Sequence, residues 1–225
     1  MLKNKIKLIV SCDGGAASGK TTGAKLISKK YKLNFLSSGL LYRYASYLLI
    51  KYAPQNKILL LRKKFINLNY KKISKINLQS ENINSLVAKI AKQKKIRDIL
   101  KKYQINFARE YNKVCIEGRD ISYAILPNAD VKFFFKCNLD VASKRRWKEL
   151  KKLHKGIKFV KVKKSLKIRN FTDQNRRHNP LKKVADAVLI RTDILSKKAM
   201  VTKMSKEIDK KIVLKYGVNF KKYKK

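Results

Sequence analysis

The chain has 225 residues, of which 44% are apolar, which is enough for one domain with a sizeable hydrophobic core. Its 58 lysines and arginines against 14 acidic residues give a formal net charge of +44, which favours anionic partners such as nucleotides, nucleic acid or acidic lipid. The lysines are spread along the whole chain, which indicates compositional bias toward Lys, Asn and Ile rather than a dedicated nucleic-acid surface.

The cysteines and the apolar stretches indicate a cytoplasmic protein. Cys12, Cys115 and Cys137 have no metal-ligand spacing and lie in or beside apolar runs, which predicts buried, reduced thiols. The apolar stretch LLYRYASYLLI contains an arginine and is too short to span a membrane. The N-terminal MLKNKIKLIVSC has basic residues but only a short apolar run, so we expect no signal peptide.

Strand-type and helix-type segments alternate along the chain. Apolar runs predict buried strands at residues 6–12, 34–36, 113–117, 129–137 and 186–192. Apolar residues at helical spacing predict helices after the glycine-rich stretch, to about residue 52, at 97–111, at 140–156, at 158–176 and at 197–217. The expected N-caps are Ser37 or Ser38, Asp140 and Ser196. This alternation predicts an α/β fold, a parallel sheet flanked by helices.

One segment of the predicted single domain, residues 1–225, differs in character from the rest. Residues 55–97 lack glycine and proline and become helical in pattern from Ser80, so we interpret residues 53–97 as an insert on the core. The expected apolar face of its helix comprises Ile83, Leu86, Val87, Ile90 and Ala91.

A glycine-rich loop joins the first predicted strand to the first predicted helix. Its sequence, GGAASGKT, matches G-x-x-x-x-G-K-[ST] in full. Small residues let backbone N–H groups point at a phosphate, and the helix N-terminus adds partial positive charge. Lys20 is expected to reach the β- and γ-phosphates of ATP or GTP, and the Thr21 hydroxyl is expected to ligate Mg²⁺. The predicted nucleotide-binding residues are Gly14, Gly15, Ala16, Ala17, Ser18, Gly19, Lys20, Thr21 and Thr22.

A basic segment follows later in the chain. Residues 144–169 contain thirteen lysines and arginines and one acid, Glu149, which would repel one another on a helix without counter-charge. Residues 143–170 are therefore either a solvated helix face or a mobile lid that closes over a triphosphate and excludes water.

Five stretches in order resemble the bacterial cytidylate kinases, members of the nucleoside monophosphate kinases with a phosphate loop. They are DGGAASGKTTGAKLISKKY, FLSSGLLYR, IRDIL, IEGRDISYAILPNADVKFFF and RNFTDQNRRHNPLKKVADAVLI, and together they extend over nearly the whole chain. The resemblance implies phosphoryl transfer from ATP to CMP and dCMP, with Mg²⁺. We expect a monomer with no dedicated nucleic-acid partner and no membrane partner.

The resemblance also implies roles for individual residues. The implied catalytic residues are Lys20, Arg119, Arg145 and Arg146, the last two as lid arginines. The implied acceptor residues are Ser38, Arg43, Arg97, Glu117, Arg119, Arg169, Asp173 and Arg176. Arginines suit an acceptor phosphate because their planar fork binds phosphate through two hydrogen bonds. A carboxylate at Asp173 can accept from the exocyclic amino group that cytosine has and uracil lacks.

These residues also have simpler interpretations. Ser38 could serve only as a helix cap, and Arg43 only as a solvated cation. Glu117 and Arg119 could form a structural turn pair, and Asp173 could be a surface partner of Arg169 or Arg176. The two histidines, His154 and His178, are expected to be incidental to catalysis.

The insert departs from the family pattern. It is shorter, it lacks a glycine-containing hairpin, and it has Gln79 and Ala88 at positions where the family has arginine and serine. Relaxed selectivity for the base follows as an expectation. The competing functions are a kinase for UMP or a coenzyme precursor, and an RNA-binding protein with a phosphate loop. The basic segments lack the interleaved aromatic residues of single-strand readers, which disfavours RNA binding.

Overall fold

The chain folds around a five-stranded parallel sheet. The structure is a computed structural model and describes residues 6–152 and 156–217. The strands are β1 (Leu8–Gly14), β2 (Asn34–Ser37), β3 (Lys113–Gly118), β4 (Val131–Lys136) and β5 (Val188–Arg191). Their spatial order is β2-β3-β1-β4-β5. β1 pairs in parallel with both β3 and β4, and β4 pairs in parallel with β5. The predicted α/β fold with a parallel sheet is confirmed.

Helices occupy most of the remaining described chain. They are α1 (Lys20–Tyr31), α2 (Ser38–Tyr52), α3 (Lys57–Ile66), α4 (Tyr70–Ile73), α5 (Glu81–Ile90), α6 (Lys94–Glu110), α7 (Leu139–Lys151), α8 (Phe159–Asn175) and α9 (Lys197–Tyr216). A short π-helical turn, Ile121–Ile125, follows β3 and was not predicted. Within residues 6–152 and 156–217, no helix is long and apolar enough to cross a membrane.

The chain divides into two compact units. The first comprises Met1–Phe35 and Asn112–Lys225, and the second comprises Leu36–Tyr111. The first unit has its core between the sheet and two helices, where Phe133 and Phe135 of β4 are buried with Ile27 of α1 and Met204 and Ile208 of α9. The central strands are buried and apolar because helices pack on the sheet, as parallel sheets require.

The second unit is helical. Its buried side chains include Leu41 of α2, Leu61 and Phe65 of α3, Ile90 of α5 and Leu100 of α6. The segment predicted as an insert lies within this unit, and Ile83 and Ile90 are buried on the predicted apolar face of α5.

Two of the predicted helix caps are confirmed, one is wrong, and Ser80 is a cap that was not predicted. Ser37, Ser80 and Ser196 accept hydrogen bonds from the first turns of α2, α5 and α9. The prediction of Asp140 as the cap of α7 was wrong, because Asn138 accepts from the Asp140 N–H at 2.8 Å and α7 begins at Leu139. Asp140 instead lies in the first turn, where its negative charge interacts favourably with the positive end of the helix dipole.

Two of the three cysteines are buried as predicted. The sulfur atoms of Cys12 and Cys115 lie 3.9 Å apart on β1 and β3 as free thiols, and burial raises the pKa of Cys12. Cys137 is half-buried, so the prediction of a buried thiol was wrong there. It lies just beyond the end of β4, where the Arg145 guanidinium contacts its sulfur.

Candidate functional site

The glycine-rich loop lies between the end of β1 and the start of α1, as predicted. A Cβ added to Gly14 would lie 2.6 Å from the Phe135 carbonyl oxygen, so only glycine fits this first position. Gly19 has φ 79° and Ala17 has φ 55°, both in the left-handed region. The loop thereby turns tightly enough to place Lys20 at the first position of α1, a geometry that suits a bound phosphate.

The loop contacts helix α8 at its centre. The Ala16 N–H donates to Oδ1 of Asn170 at 2.9 Å, and the Ala16 side chain packs against Val162 and Leu166 of the same helix. The Ser18 hydroxyl is buried and has no hydrogen-bond partner among the described residues. A buried polar atom at this position suits a ligand that supplies the missing hydrogen bond.

Lys20 is buried at the N-terminus of α1. Its Nζ donates to the Gly15 carbonyl oxygen at 3.1 Å and lies 3.9 Å from Oε2 of Glu117 at the end of β3. Burial, followed by the positive charge of Arg119, lowers the pKa of Lys20 to about 7, while Glu117 acts in the opposite direction. The ammonium group therefore sits where added negative charge would stabilise it.

Arginines and carboxylates form a network in the same unit. Nε of Arg119 donates to Oδ2 of Asp173 at 2.8 Å. Arg176 lies 3.9 Å from the other Asp173 oxygen and 3.3 Å from Oδ1 of Asp120, and it is largely buried. Burial pushes the pKa of Asp173 upward, but Arg119, Arg169 and Arg176 outweigh it and hold the pKa below its usual value. Asp173 therefore remains a carboxylate.

Another buried carboxylate, Asp13, immediately precedes the first glycine of the glycine-rich loop. Its oxygens accept hydrogen bonds from the Ile121 N–H at 2.8 Å, the Ser122 N–H at 2.8 Å and the Ser122 hydroxyl at 2.5 Å. Burial raises the pKa of Asp13 to about 6, although these hydrogen bonds oppose the shift. Asp13 thus joins the loop to the segment that follows β3.

The two expected lid arginines have different surroundings. The Arg145 guanidinium donates to the Thr192 carbonyl oxygen at 2.6 Å and to its hydroxyl at 3.1 Å, and that hydroxyl donates to the Ser18 carbonyl oxygen at 2.9 Å. Arg145 is therefore fixed beside the phosphate loop through Thr192. Arg146 pairs with Glu149 on the exposed side of α7.

Three predicted acceptor residues lie in the second unit. Ser38 is buried at the first position of α2, and it is not the cap of that helix, since Ser37 has that role. Arg43 is half-buried on the same helix. Arg97 is buried in α6, and its Nη1 donates to the Ala91 carbonyl oxygen at 3.2 Å.

The remaining predicted residues lie as follows. Glu117 is buried and Arg169 is exposed on α8. Thr21 and Thr22 are exposed in the first turn of α1. His178 is half-buried, whereas His154 and the rest of residues 153–155, within the expected lid, lie outside the described residues.

The sequence reasoning missed Asp13, Asp120, Asn170 and Thr192. Asp13 and Asp120 carried a detectable signal, since each is an acidic residue at or within two residues of the end of an apolar strand, beside a recognised motif residue. Asn170 and Thr192 carried none, because their contacts join residues more than a hundred positions apart.

Within residues 6–152 and 156–217, no group of three or more His, Cys, Asp or Glu side chains could hold a metal ion. A cation at this site would need oxygen ligands from a bound phosphate chain, and the Thr21 hydroxyl at the start of α1 is a suitable additional ligand type.

Known proteins resemble this chain over most of its length. The family model for cytidylate kinase matches residues 10–210. A cytidylate kinase of Clostridium botulinum (strain Okra / Type B1) is 32% identical over 216 residues, which cover 91% of this chain and 99% of the relative. A cytidylate kinase of Mesomycoplasma hyopneumoniae (strain 7448) is 29% identical over 228 residues, which cover 92% of this chain and 95% of the relative.

A solved structure has a similar fold. It is the crystal structure of an uncharacterized protein from Eubacterium ventriosum ATCC 27560, with a TM-score of 0.54 and 14% sequence identity. The match covers 90% of this chain and 99% of the other.

Proposed function

The chain belongs to the cytidylate kinase family, and we propose that it transfers the γ-phosphoryl group of ATP to CMP, giving ADP and CDP, and that it also accepts dCMP. One observation carries the proposal. The phosphate loop that follows β1 lies in the same unit as the buried lysine, arginines and carboxylates at the ends of β3 and α8. Membership of this family does not favour the alternative functions, which are a kinase for UMP or a coenzyme precursor and an RNA-binding protein.

The reaction requires positioning and charge neutralisation rather than a general base, because the acceptor is already an anionic phosphate oxygen. Lys20 is proposed to hold the transferred phosphoryl group as a point charge at the end of the loop. Arg119 is proposed to bind the acceptor phosphate, and its contact with Asp173 fixes the plane of its guanidinium group. Arg145 and Arg146 are proposed to offset the negative charge that develops during transfer, and the anchoring of Arg145 on Thr192 supports this for Arg145.

The nucleotides are proposed to bind through two sets of residues. The donor phosphates contact the loop residues Gly14, Gly15, Ala16, Ala17, Ser18, Gly19, Lys20, Thr21 and Thr22. The acceptor contacts Ser38, Arg43, Arg97, Glu117, Arg119, Arg169, Asp173 and Arg176. The unpartnered Ser18 hydroxyl and the tight approach at Gly14 support the donor assignment.

Selectivity for cytosine is proposed to depend on Asp173 together with Ser38 and Arg169. The pKa of Asp173 lies below its usual value, so this side chain is a hydrogen-bond acceptor at neutral pH. Cytosine offers a donor amino group at the position where uracil has a carbonyl oxygen. Gln79 and Ala88 are exposed in the second unit and offer no additional charge, so discrimination against UMP is proposed to be modest.

Mg²⁺ is proposed to accompany the donor nucleotide. The phosphate chain would supply most of its ligands, and the exposed Thr21 hydroxyl would supply one more. When bound, the ion would neutralise part of the charge on the transferred group. Thr21→Val is expected to weaken Mg²⁺ binding, and so to raise the Mg²⁺ concentration needed for half-maximal activity, without unfolding the protein.

Further aspects of the proposal concern organisation and location. Residues 53–97 are proposed to serve as the acceptor-binding insert, and residues 143–170 as a basic lid, of a single kinase domain over residues 1–225. The packing of Ala16 against Val162 and Leu166 supports a lid that lies on the phosphate loop. The protein is proposed to act as a cytoplasmic monomer whose partners are ATP, CMP and dCMP.

A panel of nucleoside monophosphates tests the function. ADP release with ATP and Mg²⁺ should depend on CMP or dCMP, with UMP slower and AMP slower still. Turnover that is clearly faster with AMP or UMP than with CMP would overturn the base assignment. Release of ADP that no monophosphate stimulates would overturn the kinase assignment.

Arg169 offers a matched test of the acceptor site. Arg169→Ala is expected to raise the KM for CMP at least about tenfold, while the KM for ATP changes much less, because Arg169 is assigned to the acceptor alone. Arg177→Ala, which removes another exposed arginine close in sequence, is the control and should leave both constants unchanged. Equal rises of both KM values in Arg169→Ala would exclude the acceptor role.

A further inference from the structure

Asp13 is a buried carboxylate to which the phosphoryl-transfer chemistry assigns no contact with substrate. It is 1% exposed and is the last residue of β1 before Gly14, the first glycine of the phosphate loop. Burying a carboxylate is unfavourable unless hydrogen bonds offset the loss of water. The three hydrogen bonds to the Asp13 carboxylate offset that loss and hold the side chain in one position.

The hydrogen bonds all come from one short segment. Oδ1 accepts from the Ile121 N–H, and Oδ2 accepts from both the N–H and the hydroxyl of Ser122. The Ser122 hydroxyl also lies 3.0 Å from that of Ser11, two residues before Asp13 on β1. Ile121 and Ser122 begin the π-helical turn, and Arg119 lies only two residues before it.

We propose that Asp13 is a positioning residue that fixes the Arg119 segment relative to the phosphate loop. The carboxylate is one residue from the loop that binds the donor and is hydrogen-bonded two and three residues beyond the arginine that binds the acceptor. This inference rests on the proposed function, because the position of Arg119 affects turnover only if Arg119 binds the acceptor phosphate.

The chemistry of the side chain explains why a carboxylate is present. Both oxygens of Asp13 accept from backbone N–H groups, which are held in place by the turn. An asparagine at this position would have only one oxygen, and its NH₂ group would face a second N–H donor. The segment would then shift to relieve the donor–donor contact, and a misplacement on the order of 1 Å can reduce a rate about 100-fold.

Asp13→Asn tests the proposal through steady-state kinetics. We expect kcat to fall by about 10- to 100-fold and the KM for CMP to rise, while the KM for ATP changes by less than about twofold. Ser122→Ala removes the hydrogen bonds of this hydroxyl to Asp13 and to Ser11 but keeps both backbone N–H bonds to Asp13, so it should produce a smaller change in the same two constants. Ser28→Ala is the matched control, because Ser28 is a buried serine of the same unit whose hydroxyl donates to the Ala24 carbonyl oxygen within its own helix, α1.

A merely structural role for Asp13 would give a different pattern. It would lower the melting temperature and the fraction of active protein, so kcat would fall with both KM values unchanged. All variants are therefore assayed at a temperature where thermal unfolding shows each to be folded. If Asp13→Asn does not fold, the kinetic pattern of Ser122→Ala decides.

Two results would overturn the proposal. One is a folded Asp13→Asn whose kcat and KM for CMP equal those of the wild type, and the other is a KM for ATP that rises as much as that for CMP. Wild-type turnover with CMP tests the proposed function separately. If the wild type prefers another monophosphate, the same ratios are measured with that acceptor, so the two failures remain distinguishable.

Discussion

Replacing Gly14 by alanine is expected to disrupt the phosphate loop at its first residue. The added Cβ would lie 2.6 Å from the Phe135 carbonyl oxygen, 2.8 Å from the Ser18 hydroxyl and 2.9 Å from the Phe135 Cβ. The carbonyl belongs to β4, which is paired on both sides, so the loop must move instead. Overpacking of this kind typically costs about 1–3 kcal/mol.

The stability change can be expressed as a melting temperature. A loss of about 2 kcal/mol lowers the melting temperature of a chain of this size by about 4–8 °C. Because Ser18 must also move, the KM for ATP is expected to rise by about tenfold or more, in line with the loss of one to two loop hydrogen bonds.

Thermal unfolding and ADP-release kinetics measure these two effects. Gly156→Ala is the control, since a Cβ added there meets no atom within 4 Å and the backbone is not in the left-handed region. Its melting temperature should be unchanged or slightly higher, because alanine restricts the unfolded chain. A Gly14→Ala variant as stable as Gly156→Ala, with an unaltered KM for ATP, would refute the packing argument.

Three further predictions concern charge and capping. Burial lowers the pKa of Lys20 to about 7, so at pH 8 Lys20 is largely neutral and should take up a proton when ATP binds. The heat of ATP binding measured by calorimetry should therefore vary with the ionisation heat of the buffer. A binding heat that is the same in all buffers would contradict this. Asp173→Asn should lower the free energy of unfolding by about 1–3 kcal/mol at pH 7, since Arg119 loses its charged partner. The pKa of Asp173 is depressed in the folded protein, so this stabilisation is present above about pH 4 and is lost as pH falls further; urea unfolding at pH 7 and pH 3 should show the difference shrink. Asn138→Ala should lower stability by about 1 kcal/mol, more than Asp140→Ala, as measured by thermal unfolding; the reverse order would contradict the cap assignment.

Local sequence patterns predicted the parts of the fold that depend on neighbouring residues. The strand, glycine loop and helix from residue 8 to residue 31 follow from an apolar run, a glycine-rich motif and helical spacing, and all three occur. Ser196 was predicted as a cap because a serine directly before a helical pattern can accept from an N–H of the first turn, and it accepts from the Ala199 N–H. At α7 the prediction named Asp140, whereas Asn138, two residues earlier and an equally good type of cap, is the cap in the structure.

Long-range contacts determined what could not be predicted. The π-helical turn at Ile121–Ile125 depends on Asp13, which is separated from Ile121 by 108 positions. The same holds for the pairing of Arg119 with Asp173, which are 54 positions apart. The sequence marked these side chains as candidates for a site, but the partner of each becomes evident only when the strand ends and α8 are placed in space.

The hydrogen bond between Ala16 and Asn170 has a consequence for ligand exchange. A single N–H group forms one strong hydrogen bond at a time, and this one is engaged by Oδ1 of Asn170 at 2.9 Å. A phosphate oxygen that accepts a hydrogen bond from the same N–H replaces the Asn170 amide, so this hydrogen bond between the loop and α8 is lost. Donor binding as proposed above and the Ala16–Asn170 hydrogen bond would therefore compete for one N–H group, whereas the packing of Ala16 against Val162 and Leu166 does not depend on that group.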